Sequence, residues 1–116
     1  MMKERESKLV KQWNYKGKLC IIIFHKWTLP IATSLKEYYT GYVQSSLNKS
    51  YDDLNIEVHG GLTFGDSLEH FNPDLKGFFY GFDTGHAFDN PEVQDLNYCI
   101  RECERLAEQL IKLENE

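Results

Sequence analysis

The sequence predicts an α+β fold, a mostly antiparallel sheet with one long C-terminal amphipathic helix packed on a face. Three observations predict it. An alternating segment turns into a β-branched run at residues 19–25, an aromatic run fills residues 77–82, and apolar residues recur at helical spacing after Pro91. The 116 residues fit a single domain, 1–116, large enough to bury a core and too short for two.

Each element follows from its residues. Positions 1–7 are polar and are expected to fray. Apolar and polar residues alternate over 9–13, residues 14–18 read as a turn, and the run at 19–25 is too short for an ordinary helix, so a hairpin leads into a buried strand. Residues 27–36 contain Pro30 and show no period, whereas 38–43 have strand composition. Ser, Asn, Lys and Asp dominate 45–53, an exposed loop. Residues 55–59 alternate strictly and stop at Gly60-Gly61, which predicts a strand that Thr63 and Phe64 resume. A polar insertion is expected over 65–76, and 77–82 suit a central strand covered on both faces.

The final helix is predicted over 91–114. Pro91 fits its first turn behind Asn90 or Asp89 as the cap, with Glu92 favoured at the positive end of the dipole. Val93, Leu96, Ile100, Cys103, Ala107 and Leu110 form the apolar stripe. Glu92, Gln94, Asp95, Arg101, Glu102, Glu104, Arg105 and Glu108 read as its solvated face.

Composition narrows the function. A hydrophobic content of 41%, with 27% charged residues, is that of a globular domain. The net charge of −5 argues against a general nucleic-acid or anionic-membrane surface, because both need clustered Lys and Arg. Cys20, Cys99 and Cys103 are an odd set with no CxxC, so free thiols and a reducing compartment are expected. The apolar run at 19–24 is far short of a membrane span, and no apolar stretch follows the charged residues at 1–11, so neither a membrane partner nor a signal peptide is expected.

Two loops carry the residues suited to chemistry. In the first, His59 ends a predicted strand, Gly60 and Gly61 let a ligand approach the main chain, and Thr63 adds a hydroxyl beside Phe64. A β-bulge or tight turn would use the same glycines structurally. In the second, Phe82 leads into Asp83, Thr84, Gly85, His86, Phe88 and Asp89, which lie between a buried strand and a helix start, a junction that favours anions. There the alternative is an Asx-turn at Asp83, a cap at Asp89 and a surface His86. Phe64, Phe82 and Phe88 flank the loops as stacking surfaces for a base. His59, Asp83, His86 and Asp89 could also ligate a divalent metal, but their spacing matches no zinc signature, so neither a metal nor another cofactor is expected. The cysteines fall at core-like positions, no serine elbow is present, and His25 and His70 read as surface or capping residues, so no catalytic residue is assigned.

At these residues the chain resembles a family of small bacteriophage and prophage proteins. The resemblance rests on Trp13 with the Tyr15–Cys20 hairpin, Gly41-Tyr42-Val43, the His59–Phe64 loop, the Gly81–Asp89 loop and the Glu102–Ala107 helix segment, spanning about residues 13–110. Thr84 stands where that family tends to have Cys, and Gly85 and Phe88 where Ala and Gly are usual, which alters the loop wall and keeps its acids and imidazoles. The resemblance implies phage origin and a host-cytoplasmic location. The expectation built on it is a counter-defence sponge that sequesters a phosphate-containing nucleotide signal, and such sponges commonly place pockets between subunits of a homo-oligomer. A metal-dependent phosphoesterase on the same residues, and a protein-binding inhibitor of a host defence enzyme, are the alternatives.

Overall fold

The structure, a computed structural model, describes residues 5–27, 37–85 and 93–116. Five strands and one long helix form the α+β fold: β1 (Arg5–Tyr15), β2 (Lys18–Trp27), β3 (Glu37–Ser45), β4 (Phe64–Ser67), β5 (Phe78–Asp83) and α1 (Leu96–Glu114). The sheet is antiparallel throughout, in the order β1-β2-β3-β5-β4.

The hairpin is tighter than the sequence indicated. Lys16 and Gly17 alone form the turn, with φ of 51° and 83°, a pairing of left-handed residues that matches the twist of the flanking strands. β1 pairs with β2 from Arg5 onwards, so Arg5, Glu6 and Ser7 stand opposite Trp27, Lys26 and His25 rather than fraying. Its register shifts between Leu9 and Lys11, a bulge at Val10.

Both faces of the inner strands are covered. On one face Cys20, Ile22, Val43, Tyr80 and Phe82 pack against Cys99, Cys103, Leu106, Ala107 and Leu110 of α1. On the other, Ile21, Ile23 and Phe79 lie under Leu68 and Leu75. The continuous apolar runs of β2 and β5 therefore reflect burial on two sides. The expected polar insertion at 65–76 is corrected accordingly: β4 takes Phe64–Ser67, and Leu68 and Leu75 plug the second core.

Two further expectations are corrected. Residues 55–59 are not a strand of the sheet; the segment runs beside α1, where Gln109 Nε2 donates to the Glu57 carbonyl (2.8 Å) and Gln109 Oε1 accepts from the Glu57 amide (2.8 Å). The alternation of Ile56 and Val58 is real, but it packs them against the helix-side core. The helix begins at Leu96, not Pro91, because Asp95 takes the capping role and accepts from the Tyr98 amide (2.9 Å). Val93, expected in the stripe, is 60% exposed, and the expected caps Asp89 and Asn90, with Pro91 and Glu92, lie outside the described residues.

Candidate functional site at one end of the sheet

Register gathers the two loops at one end of the sheet. Phe64 pairs with Gly81 and the Thr63 amide donates to the Gly81 carbonyl (2.9 Å), so the first loop enters β4 where β5 leaves the sheet towards the second. Thr40 of β3 pairs with Asp83, and His25 of β2 with Tyr38.

The first loop is fastened to the helix. A turn closes from the Gly61 amide to the Val58 carbonyl (2.9 Å), with Gly60 and Gly61 at φ of 67° and 78°, values that ordinary side chains avoid. The His59 amide donates to Glu102 Oε1 (2.8 Å), and its Nδ1 lies 2.7 Å from the Tyr98 hydroxyl, with the two rings edge to face. A β-carbon on Gly61 would meet nothing within 4 Å, and Gly60 and Thr63 are exposed. Gly60 and the α-carbon of Gly61 thus face open space, while the Gly61 amide is spent within the turn.

The second loop divides between fold and surface. Phe82, expected as a stacking face, is 1% exposed and belongs to the helix-side core, because alternation along β5 turns it towards α1. Thr84, expected to line the pocket, is buried; its hydroxyl donates to the Tyr39 carbonyl (2.9 Å) and accepts from the Tyr39 amide (3.1 Å), prolonging the β3–β5 joint. Asp83 Oδ1 accepts from the Gly85 amide (3.0 Å), an Asx-turn, and Gly85 lies against the Tyr38 ring. Phe64 is half-buried on the face away from the helix, edge-on to Tyr42 at 5.2 Å. His86, Phe88 and Asp89 lie outside the described residues.

The loops share an end, yet among the described side chains His59 and Asp83 do not share a face. His59 leans on α1, on the Phe82 side, whereas alternation sends Asp83 to the opposite side, level with Thr40. No family model, curated protein or solved structure matches the chain.

On the Asp83 side stands a polar row that sequence reasoning missed. His25, expected to be a surface or capping residue, is 6% exposed: its Nδ1 is 2.7 Å from the Ser7 hydroxyl, its Nε2 is 2.8 Å from the Thr40 hydroxyl, and it stacks on Tyr38 at 4.9 Å. Ser7, His25, Thr40 and Asp83 therefore bring one polar group each from β1, β2, β3 and β5 to this end. The only signal in the sequence is a polar residue at the end of an apolar run. Its partners, 18 and 15 residues away, emerge only with the register.

The thiols stand apart. Burial, aided by Glu104, pushes the Cys20 thiol up to about 12, and burial likewise holds Cys103 well above its ordinary value. Both stay protonated at neutral pH and are poor nucleophiles. Among the described residues no three His, Cys, Asp or Glu side chains form a metal-binding group, and no helix is long and apolar enough to cross a membrane.

Proposed function

We propose that the protein is a phage counter-defence binding protein that sequesters a phosphate-containing nucleotide immune signal, an ADP-ribose derivative or a cyclic nucleotide, without cleaving it. The motif resemblance supports the biological setting. The observation that carries the binding is the His59-Gly60-Gly61 turn, tied to α1 through both the His59 amide and its imidazole, which holds an open glycine pair in place at the end of the sheet where Asp83 emerges. A main chain fixed in advance spares a ligand the ordering cost of a loose loop.

Because His59 and Asp83 lie on opposite sides, the ligand is taken to lie across the end of the sheet. Gly60, Gly61 and Thr63 would serve its phosphate and Asp83 its ribose hydroxyls, and His86, Phe88 and Asp89 belong to the same proposal from sequence. Protonated, buried thiols favour retention over covalent attack on the signal.

A thermal shift across a panel of ADP-ribose derivatives and cyclic nucleotides tests this. A bound nucleotide at a hundredfold excess over its Kd is expected to add about 2.7 kcal/mol of stability. Heat-denaturing the complex should return that nucleotide intact by mass spectrometry, and His59→Ala should weaken binding by about 10-fold, the effect of losing one well-made polar contact. A cleaved product would make the protein a phosphoesterase, and unchanged melting with every nucleotide would overturn the proposal.

A further inference from the structure

At the Asp83 end of the sheet stands one arrangement that nucleotide binding does not use. Ser7 is exposed on β1, its Oγ lies 2.7 Å from Nδ1 of His25, and Nε2 of the same ring lies 2.8 Å from the Thr40 hydroxyl. His25 and Thr40 are buried and the imidazole stacks on Tyr38, so the ring is fixed at both nitrogens and on one face. A hydroxyl within hydrogen-bond reach of an imidazole that a third group orients is the arrangement that activates a serine as a nucleophile.

The register explains why these groups meet. Pairs along an antiparallel ladder alternate between hydrogen-bonded and non-hydrogen-bonded, and the pair that closes a two-residue hairpin, here Tyr15 and Lys18, is hydrogen-bonded. Counting along β2 from Lys18 makes His25 and Ser7 a non-hydrogen-bonded pair, in which opposing side chains approach most closely. Because β1 is the outer strand, the Ser7 amide in such a pair points away from β2, beyond the sheet edge. The amide of a nucleophile's own residue is a donor suited to the oxyanion of a tetrahedral intermediate. Leu9, on the same face two residues along and half-buried, offers apolar contact to a short acyl chain.

We infer that Ser7 is a nucleophile with His25 as its base, a second site that takes the acyl group of short-chain carboxylic esters. In the tautomer this requires, Nε2 carries the ring proton and donates to Thr40 Oγ1, which leaves Nδ1 to accept from Ser7; Thr40 is the positioning residue. Ser7 Oγ attacks the ester carbonyl carbon and its proton passes to Nδ1 of His25. The ester C–O bond then breaks and the departing oxygen takes that proton back as the alcohol. Water attacks the acyl-Ser7 carbon in turn, releasing the carboxylic acid and restoring the hydroxyl, so that ester and water become acid and alcohol. This inference is independent of the nucleotide reading, because an acyl group and not a phosphate is transferred.

Incubating the full chain with p-nitrophenyl acetate and mapping acetylated peptides by mass spectrometry tests it, with the exposed Ser46 and Ser50 as internal references. Ser7 is expected to acetylate at least about 100-fold faster than either, the low end of what a positioned base supplies. His25→Gln should bring Ser7 down to the reference rate. Thr40→Val, which keeps the side-chain shape and removes the hydroxyl, should slow Ser7 by about 10-fold, the effect of losing one well-made polar contact, without changing Ser46, and Thr40→Ser should restore the rate. A purely structural hydroxyl would give no such pattern at Ser7. Circular dichroism verifies that each variant is folded, and if His25→Gln is not, the two Thr40 variants carry the comparison. Acetylation of Ser7 in the wild type no faster than that of Ser46 and Ser50, or a Ser7 rate unchanged in a folded Thr40→Val or His25→Gln, would overturn the inference.

Discussion

A β-carbon at Gly41 would stand 2.6 Å from the tip of the Phe82 ring and 2.7 Å from Cys103 Sγ, closer than packed atoms tolerate. The helix sits so near the sheet only because β3 carries no side chain there. Gly41→Ala should therefore cost about 2 to 3 kcal/mol of stability, the range for overfilling a packed core, as measured by urea unfolding. The gap at residue 41 was not legible beforehand, since Gly41-Tyr42-Val43 reads as ordinary strand until the partner on α1 is known. His59 and His25 show the same limit. Glycines after His59 marked it as a loop residue, but nothing local told that Tyr98 and Glu102 would hold it, or that Ser7 and Thr40 would enclose His25.

At the scale of the element, what could be read locally was what the chain decides locally. The β-branched run of β2, the aromatic run of β5 and the stripe Cys103, Ala107, Leu110 carry their periods in adjacent residues, and all three are buried. The segment at 55–59 carries the period of a strand as well, but its hydrogen bonds go to a glutamine side chain more than fifty residues later, which no local pattern encodes. The start of α1 was misplaced because Asp89, Asn90 and Asp95 are all competent caps. Asp95→Ala should lower stability by about 1 kcal/mol, and Asp95→Asn, which keeps an acceptor for the Tyr98 amide, should recover most of it in the same denaturant titration.

For the whole molecule, the far end of α1 is moored to the sheet. Glu114 accepts from Lys18 and from the Ser45 hydroxyl (2.5 Å), and Lys18 and Glu114 are only 11% and 15% exposed. Burial pushes the Glu114 carboxyl up, but the bonds from Lys18, Ser45 and the Ser46 amide, with the Lys18 charge, outweigh it and leave it below its ordinary 4.5. A group with a lowered folded value stabilises the fold above its unfolded value, and that share is lost as pH falls through the folded one. Stability should accordingly decline below about pH 4.5, the ordinary glutamate range, and Glu114→Gln should be less stable at neutral pH with a shallower acid-side decline in melting temperature.

The strand order carries a consequence for how the chain comes together. β1, β2 and β3 are neighbours in sequence and can join early, but β4, although made before β5, has no place until β5 has crossed to β3. That crossing spans residues 46–77 and closes the longest loop in the sheet, so it is expected to be the slowest of the strand pairings to form. Until it happens, Cys20, Ile22 and Val43 wait for α1 with their helix-side surface bare, which makes a ribosome-bound or truncated chain that stops short of residue 96 a natural client for chaperones.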